Sequence, residues 1–138
     1  KVQKEYAETI KEHGFSGVPI VVDEWGFSTG GYMNVENCPE LIKRETEMFS
    51  AYFAKLIHEF VYSDFKIDLL AICLSGQHEM VKDFSGFRNF FTLNFIKKPI
   101  YNAYILASKL GESLLKKERD RENVFVVPTK NEKEDYGQ

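Results

Sequence analysis

The feature that most constrains the fold of this chain is an alternation of helical segments with short apolar runs. Val2, Tyr6 and Ile10 lie four residues apart, which predicts a first helix over residues 1–13. The run Val18–Val22 is apolar and rich in β-branched residues, as is typical of a strand buried on both faces of a parallel sheet. The alternation continues along the chain and predicts the order α-β-α-β-α-β, which favours parallel βαβ units.

Four further elements complete this predicted order. Pro39 is expected to open a second helix and Pro99 a third, because proline fits the first turn of a helix. Ile67–Leu74 and Val124–Val127 are the second and third predicted strands, and Glu112–Asn123 is expected to be a frayed helix end and a linker. The buried stripe of the second helix is predicted to contain Phe49, Phe53, Leu56, Ile57 and Phe60. That of the third helix is predicted to contain Ile100, Ala103, Tyr104, Leu106, Ala107, Leu110 and Leu114.

The length of the chain limits how much of a parallel fold it can form. Its 138 residues correspond to one domain, whereas a closed (β/α)8 barrel needs about 250 residues. Two or three parallel strands cannot cover their own faces and edges, so the predicted α/β fold is about a quarter of such a barrel. Because predicted elements run up to the ends of the sequence, we expect the chain to be a piece of a longer protein.

Composition and charge narrow the classes of partner. Apolar residues make up 43% of the chain, which is enough for a packed core. The net charge of −3 provides no basic surface for nucleic acid, and no apolar run is long enough to cross a membrane, so neither partner is expected. Cys38 and Cys73 lack the spacing of a zinc site and leave the compartment open. The cytoplasm is slightly favoured, because the sequence shows no signal peptide.

Acidic residues directly follow the first predicted strand. Asp23 and Glu24 come after Val22, and Trp25 follows them. In parallel α/β folds, ligands bind at the carboxyl ends of the strands, and catalytic residues project from those ends. A carboxylate beside an aromatic ring at this place is typical of glycoside hydrolysis, in which one carboxylate reacts at the sugar and a second protonates the leaving oxygen. The alternative is that both acids cap the next segment or pair with a lysine.

A second polar cluster, Ser75–Glu79, ends the second predicted strand. Since sequential strands are usually neighbours, we expect Gln77, His78 and Glu79 to lie beside Glu24 and to hydrogen-bond sugar hydroxyls or orient the Glu24 carboxylate. A metal site formed by Asp23, Glu24, His78 and Glu79 is an alternative, but the spacing of a zinc motif is missing. We therefore expect no metal. The alternative for His78 is an ordinary loop histidine.

Three stretches of the sequence resemble family 39 of the glycoside hydrolases, the β-xylosidase and α-L-iduronidase group. Val18–Gly26 resembles the strand that carries the catalytic nucleophile of that family. Leu74–Glu79 lies where the family has the polar loop of its last barrel strand, and Lys97–Gly111 is similar to the Lys-Pro helix that follows. The three stretches occur in the order of the family and span nearly the whole chain.

The resemblance implies both a fold and a mechanism. Residues 1–114 would be the last quarter of a (β/α)8 TIM barrel, and residues 115–138 a linker and the first strand of an accessory β-sandwich domain. Glu24 would be the nucleophile of a retaining glycosidase, which acts on an oligosaccharide or another glycoside without a metal or an organic cofactor. The residues expected to line the sugar site are Trp25, Gln77, His78 and Glu79.

Two departures from the family pattern affect the expected activity and substrate. The general acid of the family lies on an Asn-Glu strand end earlier in the barrel, so the 138-residue chain alone is expected to be inactive. Cys73, Leu74, Gln77 and His78 stand where the family has aromatic and acidic residues, which leaves xylose-type and uronic-acid-type sugars both open. A uronic acid would need a cation such as Arg88 to pair with its carboxylate.

Two other classes of function remain open. A non-catalytic carbohydrate-binding or assembly module would keep the barrel-derived sequence without turnover. A plain structural α/β domain would use its acidic strand ends only as caps. If the chain is a piece of a barrel, as expected, its exposed sheet edges should favour self-association or strand exchange.

Overall fold

Helices and very short strands alternate in the described part of the chain. A computed structural model describes residues 2–15, 17–27, 33–62, 67–70, 81–116 and 124–131. The elements, in chain order, are helix α1 (Val2–Glu12), strand β1 (Val21–Val22), a 3-10 helix (Pro39–Glu45), helix α2 (Glu47–Tyr62), strand β2 (Leu69–Leu70), helix α3 (Pro99–Ala107), strand β3 (Ser113–Leu114) and strand β4 (Thr129–Lys130). None of these helices is long and apolar enough to cross a membrane.

Strands β1 and β2 pair in parallel. Val21 lies opposite Leu69, and Val22 lies opposite Leu70. The pairing is extended by Ile20, whose N–H donates to a carboxylate oxygen of Asp68 at 2.9 Å and whose carbonyl accepts the N–H of Asp68 at 2.9 Å. Strand β1 covers only the last two residues of the predicted run, and β2 begins at Leu69 rather than at Ile67; residues 71–74 lie outside the described residues. The parallel pairing of these two segments is confirmed, while the barrel stays a prediction.

The core lies between one face of this strand pair and helices α2 and α3. Its buried residues are Trp25, Phe49, Phe53 and Ile100, and Val22 and Leu70 pack against them. The register partners Val21 and Leu69 point to the opposite face and are 53% and 55% exposed. The helices therefore cover only one face of the parallel pair in the described structure.

The second predicted helix consists of two separate elements. The 3-10 helix ends before Thr46, which is extended (φ −112°, ψ 173°), and α2 begins at the next residue. The Thr46 hydroxyl accepts the N–H of Met48 at 3.3 Å, so it caps the first turn of α2. The predicted stripe is correct in part, because Phe49 and Phe53 are buried, whereas Leu56 is only partly buried.

Helix α3 is shorter than the periodicity predicts. It ends at Ala107, and Leu106 is 67% exposed, so the prediction of a buried stripe as far as Leu114 is wrong. Leu114 belongs instead to β3, which pairs antiparallel with β4. The physical reason is a close approach of two backbones, since a Cβ at Gly111 would overlap the backbone of Lys130.

The C-terminal strand is also displaced from its predicted position. The prediction placed it at Val124–Val127, but residues 125–127 are not in a strand, and among the described residues at this end the strand is β4. The carbonyl of Pro128, just before β4, accepts the N–H of Leu115 at 2.8 Å. Residues 113–115, which lie in the stretch predicted as a frayed helix end and linker, instead pair with residues 128–130. Residue 115, where the domain boundary is predicted, is therefore itself hydrogen-bonded to the segment that leads into β4.

Candidate functional site

Glu24 lies at the carboxyl end of the parallel strand pair. β1 ends two residues before it, so its side chain leaves the sheet at the edge where ligands bind in parallel folds. The Glu24 side chain is 54% exposed, and its Oε1 accepts a hydrogen bond from Nη2 of Arg88. The neighbouring acid, Asp23, is also exposed. The structure therefore puts a solvent-accessible carboxylate at the predicted place, with a cation fixed to one of its oxygens.

The Arg88 side chain is almost completely buried beneath this carboxylate. Only 5% of it is exposed, and its Nε has no hydrogen-bond partner in the described residues. Gly26 lies against the Arg88 side chain, and a Cβ at that position would overlap Cδ of Arg88. A salt bridge with one buried partner keeps a fixed geometry better than a fully exposed pair, because fewer rotamers are open to it.

Trp25 is a core residue with one polar contact. Its ring is 7% exposed and stacks on Phe53, with ring centroids 5.2 Å apart and planes 17° from parallel. The indole N–H donates to the hydroxyl of Tyr104 at 3.0 Å. Burial raises the pKa of Tyr104 to about 12, although the bond from Trp25 acts in the opposite direction. The remaining exposed edge of the Trp25 ring lines an apolar groove, together with Tyr52 and Leu56.

The other predicted sugar-site residues, Gln77, His78 and Glu79, lie outside the described residues, as does Cys73. Their predicted proximity to Glu24 therefore stays a prediction. Within the described ranges, no three side chains of His, Cys, Asp or Glu come together to form a cation site.

A buried group of charged side chains lies next to Arg88, and the sequence reasoning missed it. Lys98 and Glu45 form an ion pair at 2.8 Å in which the side chains are 0% and 3% exposed. Arg44 is fully buried beside them and donates from Nε to the carbonyl of Phe27 at 3.0 Å. Burial lowers the pKa of Arg44, and the positive charge of Arg88 adds to this effect. We call Arg44, Glu45 and Lys98 the buried charge cluster.

One sequence signal could have revealed this cluster. Leu41, Glu45, Phe49 and Phe53 lie four residues apart, so Glu45 occupies a position in the apolar stripe of the segment. A carboxylate on a buried stripe needs a cation or hydrogen-bond donors, because an unpaired buried charge is strongly unfavourable. The sequence does not show that Lys98, at the start of a helix far along the chain, is the partner.

Comparison with known proteins adds nothing to this geometry. No protein-family model matches the chain, and no curated protein sequence matches it. The resemblance described from the sequence therefore depends on its own residues, and the functional argument depends on the placement of Glu24 and Arg88.

Proposed function

We propose that the chain belongs to a retaining glycoside hydrolase similar to family 39, with Glu24 as the nucleophile. The observation that carries this proposal is a half-exposed carboxylate at the carboxyl end of a parallel strand, held through one oxygen by a buried guanidinium. Strand ends of this kind present the catalytic residues of α/β barrels. A nucleophilic carboxylate must be accessible and must be held in one orientation, and the exposure of Glu24 and its bond to Arg88 support this role.

In the proposed reaction, an oxygen of Glu24 attacks the anomeric carbon of the glycoside. The bond from that carbon to the leaving oxygen breaks, and a second carboxyl group protonates the leaving oxygen. Water then attacks the glycosyl-enzyme at the same carbon, loses a proton to the second carboxylate, and releases the sugar together with the free Glu24 carboxylate. Arg88 would hold Oε1 and so direct the other oxygen of Glu24 at the substrate.

The pairing of Arg88 also bears on the class of sugar. A uronic acid would need a cation for its own carboxylate, and Arg88 is the residue considered for that role. In the structure its Nη2 is bonded to Glu24. The proposal therefore favours an uncharged, xylose-type sugar over a uronic acid.

The test of this proposal is covalent trapping of Glu24. The chain and the longest polypeptide encoded by its gene are incubated with dinitrophenyl 2-deoxy-2-fluoro-xyloside and with the matching uronoside, and modified peptides are identified by mass spectrometry. Dinitrophenolate departs without a proton, so trapping does not depend on the general acid. We expect the xyloside to modify the peptide that contains Glu24.

Two variants serve as controls. Glu24→Gln should abolish the modification, whereas Asp23→Asn, which removes the neighbouring exposed carboxylate, should leave it in place. No modification of either polypeptide, or modification that persists in Glu24→Gln, would refute the nucleophile assignment. Sugar binding without modification would favour the carbohydrate-binding module instead.

A further inference from the structure

Gly86, Phe87 and Arg88 form a short segment, and the guanidinium at its end pairs with Glu24. The buried charge cluster holds its backbone from two sides. Oε1 of Glu45 accepts the N–H of Gly86 at 2.6 Å, and Nη1 of Arg44 donates to the carbonyl of Gly86 at 3.1 Å. These bonds immobilise the backbone two residues before Arg88.

Lys98 binds the residue that directly precedes Arg88. Its ammonium donates to the carbonyl of Phe87 at 3.1 Å while it pairs with Glu45. The Lys98 N–H donates to the carbonyl of Phe90 at 2.9 Å, so the lysine holds the chain on both sides of Arg88. Oε1 of Glu45 accepts hydrogen bonds from both the Lys98 ammonium and the N–H of Gly86. This one oxygen therefore connects the contacts at Gly86 with those that Lys98 makes at Phe87 and Phe90.

The space beside Gly86 is filled by neighbouring side chains. Gly86 has φ +88°, and an added Cβ would lie 2.9 Å from Val35 and 3.0 Å from Leu41. Contacts this short require a neighbour to move. The segment is therefore closely packed on one side and bonded to buried charges on the other.

We propose that Lys98 and Glu45 are positioning residues for Glu24. Their ion pair fixes the carbonyl of Phe87 and the N–H of Gly86, which fixes the backbone of Arg88 and so the guanidinium that orients the Glu24 carboxylate. The catalytic meaning of this inference rests on the proposed function, whereas the link from the ion pair to Arg88 does not.

A paired substitution separates positioning from stability. Lys98→Met alone would leave a buried carboxylate without its cation, which is strongly destabilising. Lys98→Met combined with Glu45→Leu removes both charges, and such apolar replacements of buried ion pairs are often neutral or stabilising. The double variant should therefore fold while it lacks the bonds from Glu45 to the N–H of Gly86 and from Lys98 to the carbonyl of Phe87, and it keeps the bond from Arg44 to the carbonyl of Gly86. Lys82→Met with Glu36→Leu is the matched control, since it removes an exposed pair that is 3.6 Å apart.

The first measurement is solvent exchange of the Arg88 Nε–H proton by NMR on this chain. We expect exchange to be at least about tenfold faster in the double variant than in the wild type, which corresponds to the loss of about one hydrogen bond. The exposed-pair control should leave the exchange rate unchanged. If the double variant folds and keeps the wild-type exchange rate, the inference is wrong.

The second measurement is the rate of fluoro-glycoside trapping at Glu24 in the polypeptide that reacts. We expect the rate constant of inactivation to fall about tenfold in the double variant, which is the equivalent of about one lost hydrogen bond. The concentration of fluoro-glycoside that gives the half-maximal rate should change little. A purely structural role would leave both values unchanged in a folded variant. If the wild type is not trapped, the proposed function fails, and the exchange measurement still decides the inference.

A third variant covers the case in which the double variant does not fold. Glu45→Asp keeps the charge that pairs with the Lys98 ammonium, so it leaves no unpaired buried charge, but its side chain is one methylene shorter and cannot hold both the ammonium and the N–H of Gly86 at their present distances. We expect it to raise the exchange rate of Arg88 Nε–H, by less than the double variant would. Unchanged exchange in this variant would overturn the inference as well.

Discussion

A single hydrogen bond joins Trp25 to Tyr104 in the aromatic core, and a double-mutant cycle can measure its energy. Trp25→Phe removes the indole N–H and part of the ring that stacks on Phe53. The hydrogen bond contributes about 1 kcal/mol, and the smaller ring costs about a further 1–2 kcal/mol of packing. We therefore expect Trp25→Phe to lower the free energy of unfolding by about 2–3 kcal/mol.

Tyr104→Phe leaves the indole N–H of a residue that is 7% exposed without its acceptor. An unsatisfied buried donor costs about 1–3 kcal/mol. In the double variant both polar groups are absent, so the loss of the bond is counted only once. The two substitutions should consequently be non-additive, with a coupling free energy of about 1–2 kcal/mol.

The assay is urea unfolding followed by far-UV circular dichroism. Fluorescence is unsuitable, because Trp25 is the one tryptophan of the sequence. The control cycle pairs Trp25→Phe with Tyr52→Phe, since the ring of Tyr52 lies 6.2 Å from that of Trp25. A coupling below about 0.5 kcal/mol in the Trp25–Tyr104 cycle would mean that the bond contributes nothing to stability.

Two further predictions concern pH and backbone conformation. Burial raises the pKa of Tyr104 from 10.0 in its ordinary state to about 12, so the unfolded chain loses this proton first as the pH rises. The contribution of protonated Tyr104 to the free energy of unfolding is complete below pH 10 and is lost as the pH rises to about 12. After allowance for partial exposure, this contribution amounts to about 1–2 kcal/mol. Urea unfolding across this range should show the loss in the wild type and not in Tyr104→Phe. Gly86→Ala should cost about 2–4 kcal/mol in thermal unfolding, because it combines a positive φ with a close contact to Leu41. A cost similar to that of Gly14→Ala, where the surroundings are open, would contradict the packing argument.

The elements that could be predicted are those set by local pattern. The four-residue spacing of apolar side chains places α1 correctly, and the β-branched run before Asp23 correctly indicates a strand that pairs in parallel with the segment after Ile67. From that pairing, the position of Glu24 at a strand end follows directly. In these cases the information lies within about ten residues of sequence, which is the range over which helical and strand periodicity act.

The elements that could not be predicted depend on partners far along the chain. Arg88 lies 64 residues from Glu24, and no spacing rule relates the two positions. The end of α3 was missed for the same reason, because the apolar pattern continues through Leu110 while the backbone turns at Gly111 to meet Lys130. Periodicity reports which residues prefer burial, but it cannot report which segment of the chain comes to cover them.

The buried pair of Glu45 and Lys98 has a consequence for how sequences of this kind can diverge. Loss of either charge leaves the other unpaired in the interior, whereas simultaneous loss of both leaves no unpaired charge and removes only the bonds to the N–H of Gly86 and the carbonyl of Phe87, so it is the less costly change. Single substitutions at either position should therefore be eliminated by selection, and viable change should occur at both positions together. Homologous sequences are expected to show covariation between two positions 53 residues apart, with either both charges or two apolar residues.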